Sequence, residues 1–91
     1  MTKKIKYNIQ NQPTLINIKN KTVVKIVKII ASDYDKNRLK NLQIYSNTII
    51  QKVNTSLDKK TILLNLNNTL IALSSSLCEK IIVSEVTKWK I

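Results

Sequence analysis

The stretch that decides the fold is residues 61–78, TILLNLNNTLIALSSSLC, which carries no charged side chain between Lys60 and Glu79. It is the longest uncharged run in the chain, longer than those at 7–18 and 41–51, so the gap is read as a property of one element. Leu63, Leu66, Leu70, Leu73 and Leu77 fall three and four residues apart, the spacing of a packed helical seam. With Leu63 at heptad position a, Leu66 and Leu73 take d and Leu70 and Leu77 the next a positions. Leu64, Ile71 and Cys78 make a second apolar stripe, with Asn67 and Ser74 between the two. The spacing therefore predicts an apolar helix over 58–88, which Ile81 continues after the frame slips at Lys80. Two stripes predict burial on two sides: against the rest of the chain, and against a second copy through Leu63, Leu66, Leu70, Leu73, Leu77 and Ile81. The stretch is barely long enough to span a bilayer, and three asparagines would be costly in lipid, so no membrane span is expected.

Upstream, residues 4–10 alternate, with Ile5, Tyr7 and Ile9 on one side and Lys4, Lys6, Asn8 and Gln10 on the other, as a half-buried strand does. Pro13 breaks that run. Leu15 to Ile18 and Val23 to Ile30 are β-favouring, and a hairpin turning near Asn20 and Lys21 is the simplest way to join them. Ser32 with Asp35 three residues on resembles a capping box, and Asp33 adds negative charge at a helix start. Leu39, Leu42, Tyr45 or Ser46, Ile49 and Val53 then predict an amphipathic helix over 34–54. Thr55 and Asp58 repeat the capping spacing before the apolar helix. The expected fold is a single α+β domain over 1–91, with strands in 1–30, a short amphipathic helix and a longer apolar helix, dimerising through its helices.

Composition narrows the function. The chain has 91 residues and a formal charge of +11, which normally points to nucleic acid or another anionic partner. Fifteen Ile, fifteen Lys and eleven Asn, with no Gly, also fit an AT-rich coding bias. No histidine is present to act as a general base at neutral pH, and no glycine to cradle a phosphate. Cys78 is the only cysteine and lies in an apolar stripe, so it reads as packing rather than as nucleophile or ligand. Asp33, Asp35, Asp58, Glu79 and Glu85 are the only carboxylate side chains and read as helix-start or surface charges. The inventory predicts no catalytic residue, no metal site and no cofactor, hence a non-enzyme. With no signal peptide behind Lys3, Lys4 and Lys6, the expected location is cytoplasmic. The candidate partner surface is basic: Lys36, Arg38 and Lys40, with Lys52, along the first helix. Lys3, Lys4 and Lys6 interleaved with Tyr7 form a second basic constellation, and Trp89 reads as a cap on an apolar interface.

The segment Asp35-Lys36-Asn37-Arg38-Leu39-Lys40-Asn41-Leu42 resembles the acidic-Arg-Leu opening of the first helix in ZapA-like proteins. Leu57-Asp58-Lys59-Lys60, followed by Ile62, Leu63, Leu64, Leu66 and Asn67, is similar to that family's entry into its second helix. The resemblance spans residues 14–78. It implies a homodimeric adaptor that binds and crosslinks filaments of the FtsZ division ring, with Lys36, Arg38 and Lys40 contributing. The alternative from charge alone is a small basic RNA- or DNA-associated protein.

Overall fold

The computed structural model describes residues 12–86. Its core is one antiparallel sheet of five strands in the order β4-β3-β2-β1-β5, with two short helices. The strands are β1 (Val23–Ile29), β2 (Ile49–Thr55), β3 (Thr61–Leu66), β4 (Thr69–Ser74) and β5 (Ile81–Glu85). Helix α1 (Asp33–Asn41) links β1 to β2, and the four-residue α2 (Ser75–Cys78) links β4 to β5. The expected helical dimer is thereby overturned: no long apolar helix exists among the described residues. The expected strand at 4–10, the basic residues Lys3, Lys4 and Lys6, and Trp89 lie outside them.

The deciding stretch is a hairpin. Ile62, Leu64 and Leu66 are buried on β3 while Thr61, Leu63 and Asn65 alternate toward the other face. Asn67 and Asn68 both have positive φ, 52° and 66°, as a two-residue type I′ turn requires. β4 then returns in full register, with Leu66 opposite Thr69, Leu64 opposite Ile71 and Ile62 opposite Leu73. Leucines at spacings of three and four in a 3.6-residue reading are, in a period-two reading, split between two strands and two faces. The asparagines read as polar gaps in a helix are the turn itself.

The first helix is real but short. Ser32 caps it, its hydroxyl accepting from the Asp35 N–H at 3.1 Å. It ends in a Schellman motif: Gln43 N–H donates to Lys40 O (2.9 Å) and Ile44 N–H to Leu39 O (2.8 Å). Gln43 takes the left-handed conformation usually given to glycine, with φ 70°. Leu39 and Ile44, the flanking apolar pair of that motif, are both fully buried. Residues 49–54, expected as the end of the first helix, instead fall in β2, where β-branched Ile49, Ile50, Val53 and Thr55 fit a pleated surface.

Residues 15–18 do not pair with β1 as a hairpin. They form a turn that carries Leu15 and Ile18 into the core. Asn17 Oδ1 locks the turn by accepting from the Thr14 N–H at 3.0 Å, and Asn17 N–H donates to Thr14 O at 3.0 Å. Pro13 O accepts from Val83 N–H (2.9 Å) and Leu15 N–H donates to Ile81 O (3.1 Å), so this segment covers the outer edge of β5.

Lys52 holds the same segment from inside. Its side chain leaves β2 inward, opposite Leu64, and is only 4% exposed. Its ammonium donates to Ile16 O (3.1 Å) and Ile18 O (2.9 Å). Its backbone N–H donates to Thr22 O (3.0 Å), and its carbonyl accepts from Lys21 N–H. Lys52→Met is expected to lower unfolding free energy by about 2 kcal/mol, because two buried carbonyls lose a charged donor. Urea titration measures it, and an unmoved midpoint would show that the staple is dispensable. At the hairpin, Asn68→Val is expected to cost about 1–2 kcal/mol, since a β-branched residue resists positive φ, whereas Asn68→Gly should keep the fold.

Candidate functional site

Two grooves collect lysines with no carboxylate among their lining residues, whereas a third sets Arg38 and Lys80 beside Asp35. The larger, about 430 Å³, is lined by Ile16, Asn20, Lys52, Thr55, Lys59 and Ile62. Much of its polar chemistry is already engaged. Lys52 is bonded to the two carbonyls above, and Asn20 is bonded through its side chain to Asn54 (3.3 Å) and Thr55 (3.4 Å). Burial lowers the Lys52 pKa below its ordinary value, while the nearby Cys78 partly offsets that shift. Burial also pushes the Cys78 thiol up to about 12, against a smaller opposing pull from Lys52. This groove is the outer mouth of a structural staple.

The second groove, about 260 Å³, is lined by Lys28, Ile29, Lys36, Lys40, Ile44, Tyr45 and Ser46. A bulge between Ile26 and Lys28, where β1 pairs with β5, sets the direction of Lys28. Lys36 and Lys40 stand one turn apart on α1, and like charges at that spacing weaken a helix unless something meets them. Among the described residues none of these three lysines makes an ion pair or a side-chain hydrogen bond. No carboxylate lines the groove. Tyr45, 46% exposed, and half-buried Ile29 give it an apolar floor above the buried Ile44. Free cations around an apolar floor suit an acidic, partly apolar protein segment.

The structure separates the residues expected to act together. Lys36 and Lys40 share the groove, but Arg38 turns away: it pairs with Asp35 at 3.7 Å and lies 5.8 Å from the Tyr34 ring centroid. Lys52 is buried on another strand and serves the fold. Lys28 and Tyr45 were missed, because only the return of β1 beside α1 joins them to Lys36 and Lys40. Of the expected interchain seam, Leu66, Leu73, Leu77 and Ile81 are in the chain's own core, Leu63 is half-buried and Leu70 is 61% exposed. The carboxylates are scattered. Asp58, for example, accepts from Ser56 Oγ (2.6 Å) and Lys60 N–H (3.0 Å) in the β2–β3 turn, which holds its carboxyl below the usual range. Among the described residues no group of three potential metal ligands comes together. No described helix is long and apolar enough to cross a membrane.

A five-stranded antiparallel sheet whose β5 edge is covered by residues 13–15, with one helical turn between β4 and β5, is an SH3-like β-barrel-type fold. The sequence model of the FeoA domain matches residues 14–85, and the chain belongs to that family. Solved structures agree on the fold. The FeoA protein of Chlorobium tepidum superposes with a TM-score of 0.77 at 17% identity, over 85% of this chain and 73% of that one. A FeoA-like protein from Clostridium acetobutylicum gives 0.75 at 19% identity, over 88% and 93%. An iron uptake regulatory protein (FeoA) gives 0.72 at 14% identity, over 81% and 96%. A comparison with curated protein sequences gives no match. The family assignment overturns the resemblance to ZapA-like proteins, and with it the filament-crosslinking adaptor and the nucleic-acid-binding alternative.

The buried Cys78 fixes a pH dependence. Its folded pKa of about 12 exceeds the ordinary 9.0, so its contribution is complete below pH 9 and is lost as pH rises toward 12. Lys52 acts in the opposite sense, since a lowered folded pKa favours the fold as pH rises toward 10.5. Comparison with Cys78→Ala isolates the thiol. The stability advantage of the parent over C78A at pH 8 should shrink by about 2 kcal/mol at pH 10.5, read from urea midpoints.

Proposed function

We propose that this chain is a non-catalytic docking module of an iron-uptake system. It binds an acidic segment of a larger component of that system in the groove of Lys28, Lys36 and Lys40. The observation that carries the reading is the groove's unmatched charge. Three lysines from β1 and α1 converge around Ile44 and Tyr45 with no carboxylate among the lining residues. Family membership and the likeness to an iron uptake regulatory protein (FeoA) support the assignment to such a system. The lysines act by long-range steering and short-range pairing, and the apolar floor adds contact area that pure charge would lack.

Iron itself is not a ligand in this reading. The chain has no histidine, and its single cysteine is buried in the core. The module acts on the machinery that moves the metal.

Calorimetry with ferrous iron under anaerobic conditions is expected to show no stoichiometric binding to the isolated chain. Lys28→Glu/Lys36→Glu/Lys40→Glu should weaken binding to the purified uptake component at least tenfold and impair growth on limiting iron. The paired change Lys19→Glu/Lys59→Glu, away from the groove, should do neither. Unchanged affinity in the triple variant would overturn the assignment of the groove, and tight iron binding by the chain alone would overturn the docking mechanism.

A further inference from the structure

We infer that the free edge of β4 is a self-association surface, at which two copies pair β4 to β4, antiparallel, about a two-fold axis at Ala72. The inference stands apart from the lysine groove and does not depend on it.

The hairpin register decides which backbone groups are free. With Asn67-Asn68 as a two-residue turn, Leu66 and Thr69 form the closing hydrogen-bonded pair, and every second residue of β4 repeats that direction. Thr69, Ile71 and Leu73 thus bond to β3, while Leu70, Ala72 and Ser74 direct their backbone groups outward. Among the described residues no backbone partner reaches Leu70 or Ala72. The opposite edge of the sheet is treated differently, since residues 13–15 cover β5 through Pro13 O and Leu15 N–H.

Natural sheets guard an open edge with lysine, proline or a bulge. This chain has lysine in abundance, yet β4 carries none, and its pairing with β3 runs through all six residues without a bulge. Leu70 is 61% exposed on the same strand. A chain of charge +11 meets another copy at low electrostatic cost only where its surface is uncharged, and β4 lies in the longest uncharged stretch. The register is self-complementary. With the axis at Ala72, that residue faces its own copy with a methyl group on each side, and Leu70 faces the partner's Ser74. Ser74 caps α2, so it offers its N–H rather than its carbonyl. The seam then holds about four backbone hydrogen bonds, two between the alanines and one at each Leu70–Ser74 pair. A single strand buries well under the roughly 1,200 Å² of a stable complex, so association is weak and reversible. Net repulsion between copies makes it strengthen with salt, the reverse of an acidic partner in the lysine groove.

Sedimentation equilibrium of the full chain, at concentrations from about 20 μM to 2 mM and at low and high salt, tests the inference. The expected result is a mass rising from 10.5 kDa toward twice that value, further at high salt than at low salt. Ala72→Lys should raise the dimer dissociation constant at least tenfold with an unchanged circular dichroism spectrum. Ala72→Cys in a Cys78→Ala background should be joined into a dimer by a short thiol-reactive bifunctional crosslinker, because Cα atoms of a hydrogen-bonded pair stand about 5.5 Å apart. Leu57→Cys, at the exposed β2–β3 turn, should crosslink far less. A monomer under every condition, a dimer indifferent to Ala72→Lys, or equal crosslinking of the two cysteine variants would each overturn it.

Discussion

The barrel depends on one buried ammonium. Lys52 sits inside the sheet and reaches the carbonyls of Ile16 and Ile18, while its own backbone pairs with Lys21 and Thr22. The turn at 14–18 brings Leu15 and Ile18 into the core, but it also brings polar backbone that no strand satisfies. A long flexible side chain with a charged donor at its end solves both problems from the opposite wall. Burying that charge is costly, and the carbonyl dipoles that receive it offset the loss of water. The proton equilibria of Lys52 and Cys78 are displaced because both sit inside this closure.

A second constraint is the absence of glycine. Antiparallel strands need tight turns, and tight turns need positive φ. Six described residues supply it: Lys21, Gln43, Asn47, Lys59, Asn67 and Asn68. Asparagine tolerates that region best, because its short amide can bond locally. Half of the six are asparagine, and where lysine or glutamine serves instead, backbone bonds hold the turn, as at Gln43 N–H to Lys40 O. A skewed composition thus still encodes its corners, in residues that ordinarily read as surface polarity.

Charge is distributed so that two surfaces stay distinct. Lys28, Lys36 and Lys40 stand free around an apolar floor, whereas Arg38 is held by Asp35 and Tyr34 and Lys52 is committed to the core. The β3–β4 hairpin carries no charge at all. Repulsion among chains of +11 keeps lysine-bearing surfaces apart and leaves them to partners of opposite sign. Among the described residues the uncharged β4 edge is where a like chain would meet the least repulsion.

Some of this was legible in the residues themselves. The missing histidine and glycine bear on catalytic and phosphate-binding chemistry through residue type alone, before any fold is known. The Ser32 cap and the strand from Val23 were readable because capping and β-branched clustering are local effects. Lys36 and Lys40 stand four residues apart in sequence, and α1 sets both on one groove. Only tertiary structure decided the rest. Leucines at 63, 66, 70, 73 and 77 satisfy a helical period as well as they satisfy two alternating strands, and no single-residue propensity separates the two readings. Pairing with β2 does, because it gives the backbone of β3 a partner along its length. The fate of each lysine followed the same rule: Lys52 and Lys40 look alike in sequence, and one is buried only because a turn 34 residues upstream places two carbonyls within its reach. At residues 61–78 the chain specified what would be buried, and the sheet decided in which form.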